Sequence, residues 1–174
     1  MTVHQLKVTL TGIAPAVWRR LQVRSETNLA ELHEVLQVAM GWENYHLHSF
    51  GDREINETTV TLARVAGGVG AHLDYMYDFG DGWVHVIEVE KVLTHPRPGT
   101  AYPRCTAGRG ACPPEDCGGP WGYADMLRAL RSRKGPRYRE IKEWLNGKFD
   151  PSAFDLAAVN EALRTLSAER PTGE

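Results

Sequence analysis

The chain has 174 residues, a formal net charge of −2 and 42% hydrophobic residues. That length accommodates one large domain or two small ones sharing a core. Near-neutral charge gives no overall pull toward nucleic acid or an acidic membrane, and no apolar run approaches the length of a bilayer span. The opening MTVHQLKVTL alternates polar and apolar residues and matches neither a signal nor a transit pattern, so the cytoplasm is the expected location and a membrane is not an expected partner.

From His4 to Thr11, Leu6, Val8 and Leu10 alternate with polar residues, as in a half-buried strand. Gly12 to Pro15 is a turn, and VWRRLQVR (Val17 to Arg24) is a second strand, so a hairpin is expected. Asn28 and Glu31 stand in the spacing of an N-cap and its reciprocal partner. Leu29, Leu32, Leu36 and Met40 form the apolar stripe of a helix, and Gly41 occupies its C-cap position. His46 to Phe50 is a short strand, a turn-rich patch runs to about Glu57, and Thr58 to Val65 fits either a strand or a helical turn.

Ala71 to Asp78 and Trp83 to Leu93 form the clearest hairpin, turned by Asp78-Phe79-Gly80-Asp81-Gly82. Leu73, Tyr75, Tyr77 and Phe79 would share one face of the first strand, and His85, Ile87 and Val89 one face of the second. Tyr123, Met126, Leu127 and Leu130 mark a helix ended by Gly135-Pro136. Tyr138, Ile141, Trp144 and Leu145 mark another, ended at Asn146-Gly147. Asp150-Pro151 and Asp155 start a last helix with Leu156, Val159, Leu163 and Leu166 inward, and the final RPTGE should fray.

Strands first and helices last give an α+β fold: a mainly antiparallel sheet with a β-grasp-like N-terminal half and a C-terminal helical part. A single domain over 1–174 is expected, with the sheet and one helix in 1–95, a Cys/Pro/Gly-rich loop in 96–122 and helices in 123–170. The five tryptophans, Trp18, Trp42, Trp83, Trp121 and Trp144, are expected to pack the core.

All three cysteines, Cys105, Cys112 and Cys117, fall in the run PRCTAGRGACPPEDCGGPWGY, whose breakers predict a loop without helix or strand interior. An odd thiol count without a secretory signal argues against a disulfide framework. Reduced thiols can ligate zinc, which favours thiolate and imidazole, with His48, His46, His85 or His95 as the fourth donor. The Cys-x6-Cys-x4-Cys spacing is not that of a standard zinc motif, so small buried hydrophobes are the favoured account and zinc the alternative. The adjacent Glu115 and Asp116 are expected to diverge, one of them bonding the loop backbone or pairing with Arg104 or Arg109.

LKVTLTGIAPAVWRRLQV, LAELHEVLQVAMGWENYHLHSF, YDFGDGWVHVIEVE, PRCTAGRGACPPEDCGGPWGYADML and FDPSAFDLAAVNEAL occur in that order. Together they resemble the plasmid pRiA4b ORF-3-like family, also labelled insertion-sequence passenger or TnpR-like proteins. The resemblance implies a compact α+β fold and an association with mobile elements, and it transfers no catalytic residues. The segment between His48 and Leu62 is shorter than the resemblance implies, so an edge element there is expected to be trimmed. A serine recombinase needs an activated serine among arginines. Ser25 follows Arg19, Arg20 and Arg24, but on a short strand with no catalytic domain around it.

A polar group, His46, Asp78, Asp81 and His85 with His48, could converge at one end of the sheet. Imidazole plus carboxylate suits zinc, iron or manganese, or acid–base work; the bland account is that the aspartates bond their own turn. His33 is expected at the border of the core. Arg131, Arg133, Lys134 and Arg137 belong to a basic stretch that could contact the phosphates of a nucleic acid, against the alternative of a solvated helix face. The leading expectation is a non-enzymatic binding or accessory module, with zinc stabilisation left open, and with a protein or nucleic-acid partner. A metal-dependent enzyme and a DNA-backbone-binding accessory are the alternatives.

Overall fold

The alternation that opens the chain builds β1 (Val3–Leu10), which pairs antiparallel with β2 (Val17–Arg24), Leu6 opposite Leu21. This computed structural model describes residues 1–51, 54–146 and 149–169. Asn28 then caps α1 (Leu29–Met40): its side chain accepts from the Glu31 N–H while Glu31 accepts from the Asn28 N–H, and Gly41 closes the helix at φ 106°. Such a cap contributes about 1 kcal/mol. Burying Leu29, Leu32 and Leu36, all at 0% exposure, contributes about 2 kcal/mol per side chain. The stripe therefore decides where the helix lies.

β3 (His48–Phe50), α2 (Leu62–Val65), β4 (His72–Tyr77), β5 (Trp83–Leu93) and β6 (Arg104–Arg109) follow. They complete a six-stranded sheet of order β3-β4-β5-β1-β2-β6. Every neighbouring pair is antiparallel, and the hairpin–helix–strand order of the first half is the expected one. α3 (Gly119–Ser132), α4 (Pro136–Trp144) and α5 (Leu156–Ala168) form the helical part, so the fold is α+β. No helix among the described residues is long and apolar enough to cross a membrane.

Arg19 joins these layers. Its buried guanidinium donates to the carbonyls of Ala39 and Met40 at the end of α1 and to that of Arg109 in β6, and it stacks 4.5 Å over the Phe154 ring. Ser25 Oγ bonds His4 Nδ1 at 2.8 Å and Arg20 pairs with Glu90. Arg19 thus serves packing between layers and Arg20 the sheet surface.

Several expectations change. The cysteine run is not all loop, because β6 occupies its first part as an edge strand on β2. Gly108 is useful there, since a β-carbon would lie 2.6 Å from the Phe154 ring. Phe79 does not continue the Tyr75/Tyr77 face. Asp78 turns to φ 57° and ends β4, leaving Phe79 54% exposed. Trp42 and Trp83 are core residues, whereas Trp121 is 89% exposed and Trp144 half-exposed; Leu156, expected inward, is also exposed at the first turn of α5. The predicted fraying of RPTGE, the Gly147 helix stop and part of the trimmed segment (residues 52 and 53) lie outside the described residues.

Candidate metal centre

Asp78, at the end of β4, adopts a left-handed φ of 57°, and one of its oxygens accepts from the N–H groups of Gly80 and Asp81. This is the turn-capping role that the sequence FGDG demands. The other oxygen lies 3.5 Å from His46 Nε2. His46 is held beside it by the backbone, because the Asp78 N–H donates to the carbonyl of Leu47. His46 also stands edge-on to the Tyr77 ring, centroids 5.9 Å apart.

The cysteine-rich loop supplies the other side. Asp116 is left-handed as well, at φ 55°. In extended chain successive side chains point to opposite faces; here the left-handed turn brings two adjacent carboxylates to one imidazole. Asp116 Oδ1 lies 3.1 Å and Glu115 Oε2 3.9 Å from His46 Nε2. Neither residue pairs with Arg104 or Arg109 as expected. Arg104 donates to Gln22, and Glu115 Oε1 is fixed by the Tyr77 hydroxyl at 3.0 Å and the Glu43 N–H at 2.8 Å. Asp81 ties the loop to the hairpin turn by accepting from the Gly118 N–H.

His46 Nε2 and Glu115 Oε2 are both buried, and neither makes a hydrogen bond. The oxygens around Nε2 are near but out of line. An unpaired buried polar atom costs about 1–3 kcal/mol, and here two of them face the same small space. Ligand atoms of His46, Asp78 and Asp116 all lie within 4.8 Å of one another, the one such group of three among the described residues. Donors on one zinc-sized ion, with bonds of about 2.0–2.2 Å, stand about 3–3.6 Å apart, close to the spacings around His46.

The other expected ligands are elsewhere. The set Cys105, Cys112, Cys117 and His48 is not assembled. Cys105 lies in β6, its thiol donating to the Ala107 carbonyl at 3.3 Å, and Cys112 and Cys117 pack against the core as free thiols. Burial pushes all three thiols up, Cys117 to about 12 with the help of the nearby Asp81, Glu115 and Asp116 carboxylates. His48 pairs instead with Glu57 at 2.9 Å and stacks on His33, ring centroids 3.5 Å apart. His33 bonds the Tyr75 hydroxyl and Asn44 and is buried in the core rather than at its border. His46 and His48 diverge because His46 precedes β3 and so escapes its alternation.

His85 also leaves the polar group. Fully buried, it places Nδ1 3.2 Å from the Tyr75 carbonyl, and its Nε2 accepts from the Trp42 indole N–H. That arrangement needs the neutral ring, and burial lowers its pKa to about 4. Of the basic residues, Arg137 is engaged by Asp125 and Glu140, while Arg131, Arg133 and Lys134 are exposed. Glu115 and Asp116 are the site residues that sequence reasoning dismissed; their signal was a paired acid inside a glycine-flanked turn.

The sequence and the fold of this chain have counterparts among known proteins. The family model for plasmid pRiA4b ORF-3-like proteins matches residues 2–158. The chain belongs to this family. It is 40% identical to the uncharacterised protein y4hQ of Sinorhizobium fredii, over 97% of this chain and 94% of that one. A crystal structure of a protein of unknown function from Methanosarcina mazei Go1 is similar with a TM-score of 0.83 at 36% identity, covering 90% of this chain and 96% of that one. Both relatives are of unknown function, so the likeness carries family and fold and no activity.

Proposed function

We propose that this family member is a metal-binding protein in which His46, Asp78 and Asp116, backed by Glu115, hold one divalent cation. The observation that carries the reading is the pair of buried atoms without a hydrogen bond, His46 Nε2 and Glu115 Oε2, 3.9 Å apart. A cation would satisfy both and would offset the repulsion among three carboxylates gathered at one imidazole. The Glu115 side chain is only 10% exposed, so solvent does little of this work.

One imidazole with several carboxylates suits manganese, iron(II) or zinc rather than a thiolate-bound structural zinc. Asp116 is 70% exposed in its side chain, so the ion would be open on that side. A pocket of about 290 Å³ adjoins it, lined by Asp116, Cys117, Met126, Ile141 and Trp144 among others. An open coordination position beside a pocket is what a bound water or small ligand needs, and this favours a ligand-binding or catalytic use of the ion over a purely structural one.

The test is metal content of the purified protein, followed by titration of the chelator-treated protein with Mn²⁺ and Zn²⁺. One ion per chain is expected, with binding lost in His46→Ala and weakened in Asp116→Asn. No binding of either ion, or binding that survives His46→Ala and disappears in Cys112→Ser, overturns the assignment.

A further inference from the structure

On the open side of the α3–α4 hairpin, away from His46, a groove of about 920 Å³ runs between the two helices and the β1–β2 turn. We propose that it binds a free anionic amphiphile, a small molecule with an apolar body and one carboxylate or phosphate head. The volume lies within the range of about 300–1,000 Å³ typical of small-molecule sites. Its floor is apolar: Leu127 is buried, while Leu130, Leu145 and Phe149 are packed against the core yet only partly covered.

The charges lining this groove are all positive. Arg131, Arg133 and Lys142 border it, and among the described residues no carboxylate does. Arg131 is fixed at the mouth because its Nε donates to the Leu127 carbonyl one turn back, and the Lys142 ammonium stands 5.6 Å over the Tyr138 ring. Of the neighbouring acids, Glu143 lines a separate recess with Arg139 and Lys142. Asp125 and Glu140 are taken by Arg137, which borders the separate pocket next to Asp116. The two helices thus segregate their charges, a compensated face toward the metal centre and an uncompensated one toward the groove. Apolar surface under a cationic rim matches a molecule whose tail is desolvated and whose head stays at the edge. Duplex nucleic acid, by contrast, would use the rim and leave the floor without a partner.

Calorimetric titration of the full chain with dodecanoate below its micelle concentration tests this. One dodecanoate per chain is expected, with dodecanol binding at least about tenfold more weakly and the Arg131→Ala/Arg133→Ala variant losing affinity by a similar factor, since two charge contacts are worth about 1.4 kcal/mol together. Both arginines are exposed, so the variant should melt like the parent, and a Leu130→Asp variant should bind poorly by spoiling the floor. Equal binding of dodecanol, no effect of either variant, or no binding overturns the proposal. So does displacement of dodecanoate by duplex DNA, or retention on anionic vesicles in place of one-to-one binding. The groove shares no residue with His46, Asp78 or Asp116, so these outcomes are independent of the metal assignment.

Discussion

Gly119 approaches Asp81 so closely that a β-carbon on it would stand 2.3 Å from the Asp81 carbonyl oxygen, and its φ of 66° is left-handed. Together with the bond from the Gly118 N–H to the Asp81 carboxylate, this contact clamps the cysteine-rich loop onto the β4–β5 turn. It is why Glu115 and Asp116 arrive at His46. Gly119→Ala must therefore move one segment off the other. We expect a loss of about 1–3 kcal/mol of stability from the steric and backbone strain, together with weaker Mn²⁺ binding. Thermal melts and metal titration of the variant check this; unchanged affinity would mean that the clamp does not position the carboxylates.

Asp116 gives the cleaner separation of binding from folding. Its side chain is largely exposed, so Asp116→Asn should leave the metal-free protein within about 0.5 kcal/mol of the parent. Metal at a hundredfold excess over its dissociation constant stabilises a protein by about 2.7 kcal/mol, and the variant should show much less of that increment at the same concentration. Melts with and without chelator measure both quantities. An equal increment in the two proteins would remove Asp116 from the ligand set.

His85 predicts an acid limit. Burial holds its folded-state pKa near 4, below the ordinary histidine value of 6.5. The unfolded chain therefore binds a proton that the folded chain refuses as pH falls between those values. The corresponding stability is present above about pH 6.5 and is lost progressively toward pH 4, up to about 3 kcal/mol. His4 and His33, likewise lowered mainly by burial, act in the same direction. Stability should rise with pH across this window, and the His85 ring should stay neutral by NMR at pH 5.5. A His85 titration near 6.5 would contradict the closed Tyr75–His85–Trp42 arrangement.

The thiols supply a test that distinguishes a metal held by sulfur from one held at His46. Burial raises Cys105, Cys112 and Cys117 above the ordinary thiol range, and the thiolate is the reactive form. Native protein at pH 8 should therefore react slowly with a thiol reagent and give all three thiols only on unfolding. Chelator should not change the native rate. Release of the thiols by chelator would put the metal on sulfur and not on His46.

Strands β1 to β5, the capped α1 and the three C-terminal helices could be read from the chain because each shows a pattern within a few residues. Alternation, an apolar stripe and an Asn–Glu cap are local patterns. The cysteine run shows where such reading fails. Its glycines and prolines argued for loop throughout, yet edge pairing with β2 made a strand of Arg104–Arg109, since an edge strand tolerates residues that a central one does not.

Local periodicity and capping sufficed for the α+β class, for the FGDG hairpin and for His46 and Asp78 as candidates. They could not bring Glu115 and Asp116 to them. That depended on β3 pairing with β4, on left-handed turns at Asp78 and Asp116, and on the close approach of Gly119 to Asp81. The same long-range packing took His48 and His85 away, toward Glu57 and Trp42. Side-chain convergence between segments distant in sequence is a product of register and turn handedness, and neither is encoded in the residues that converge.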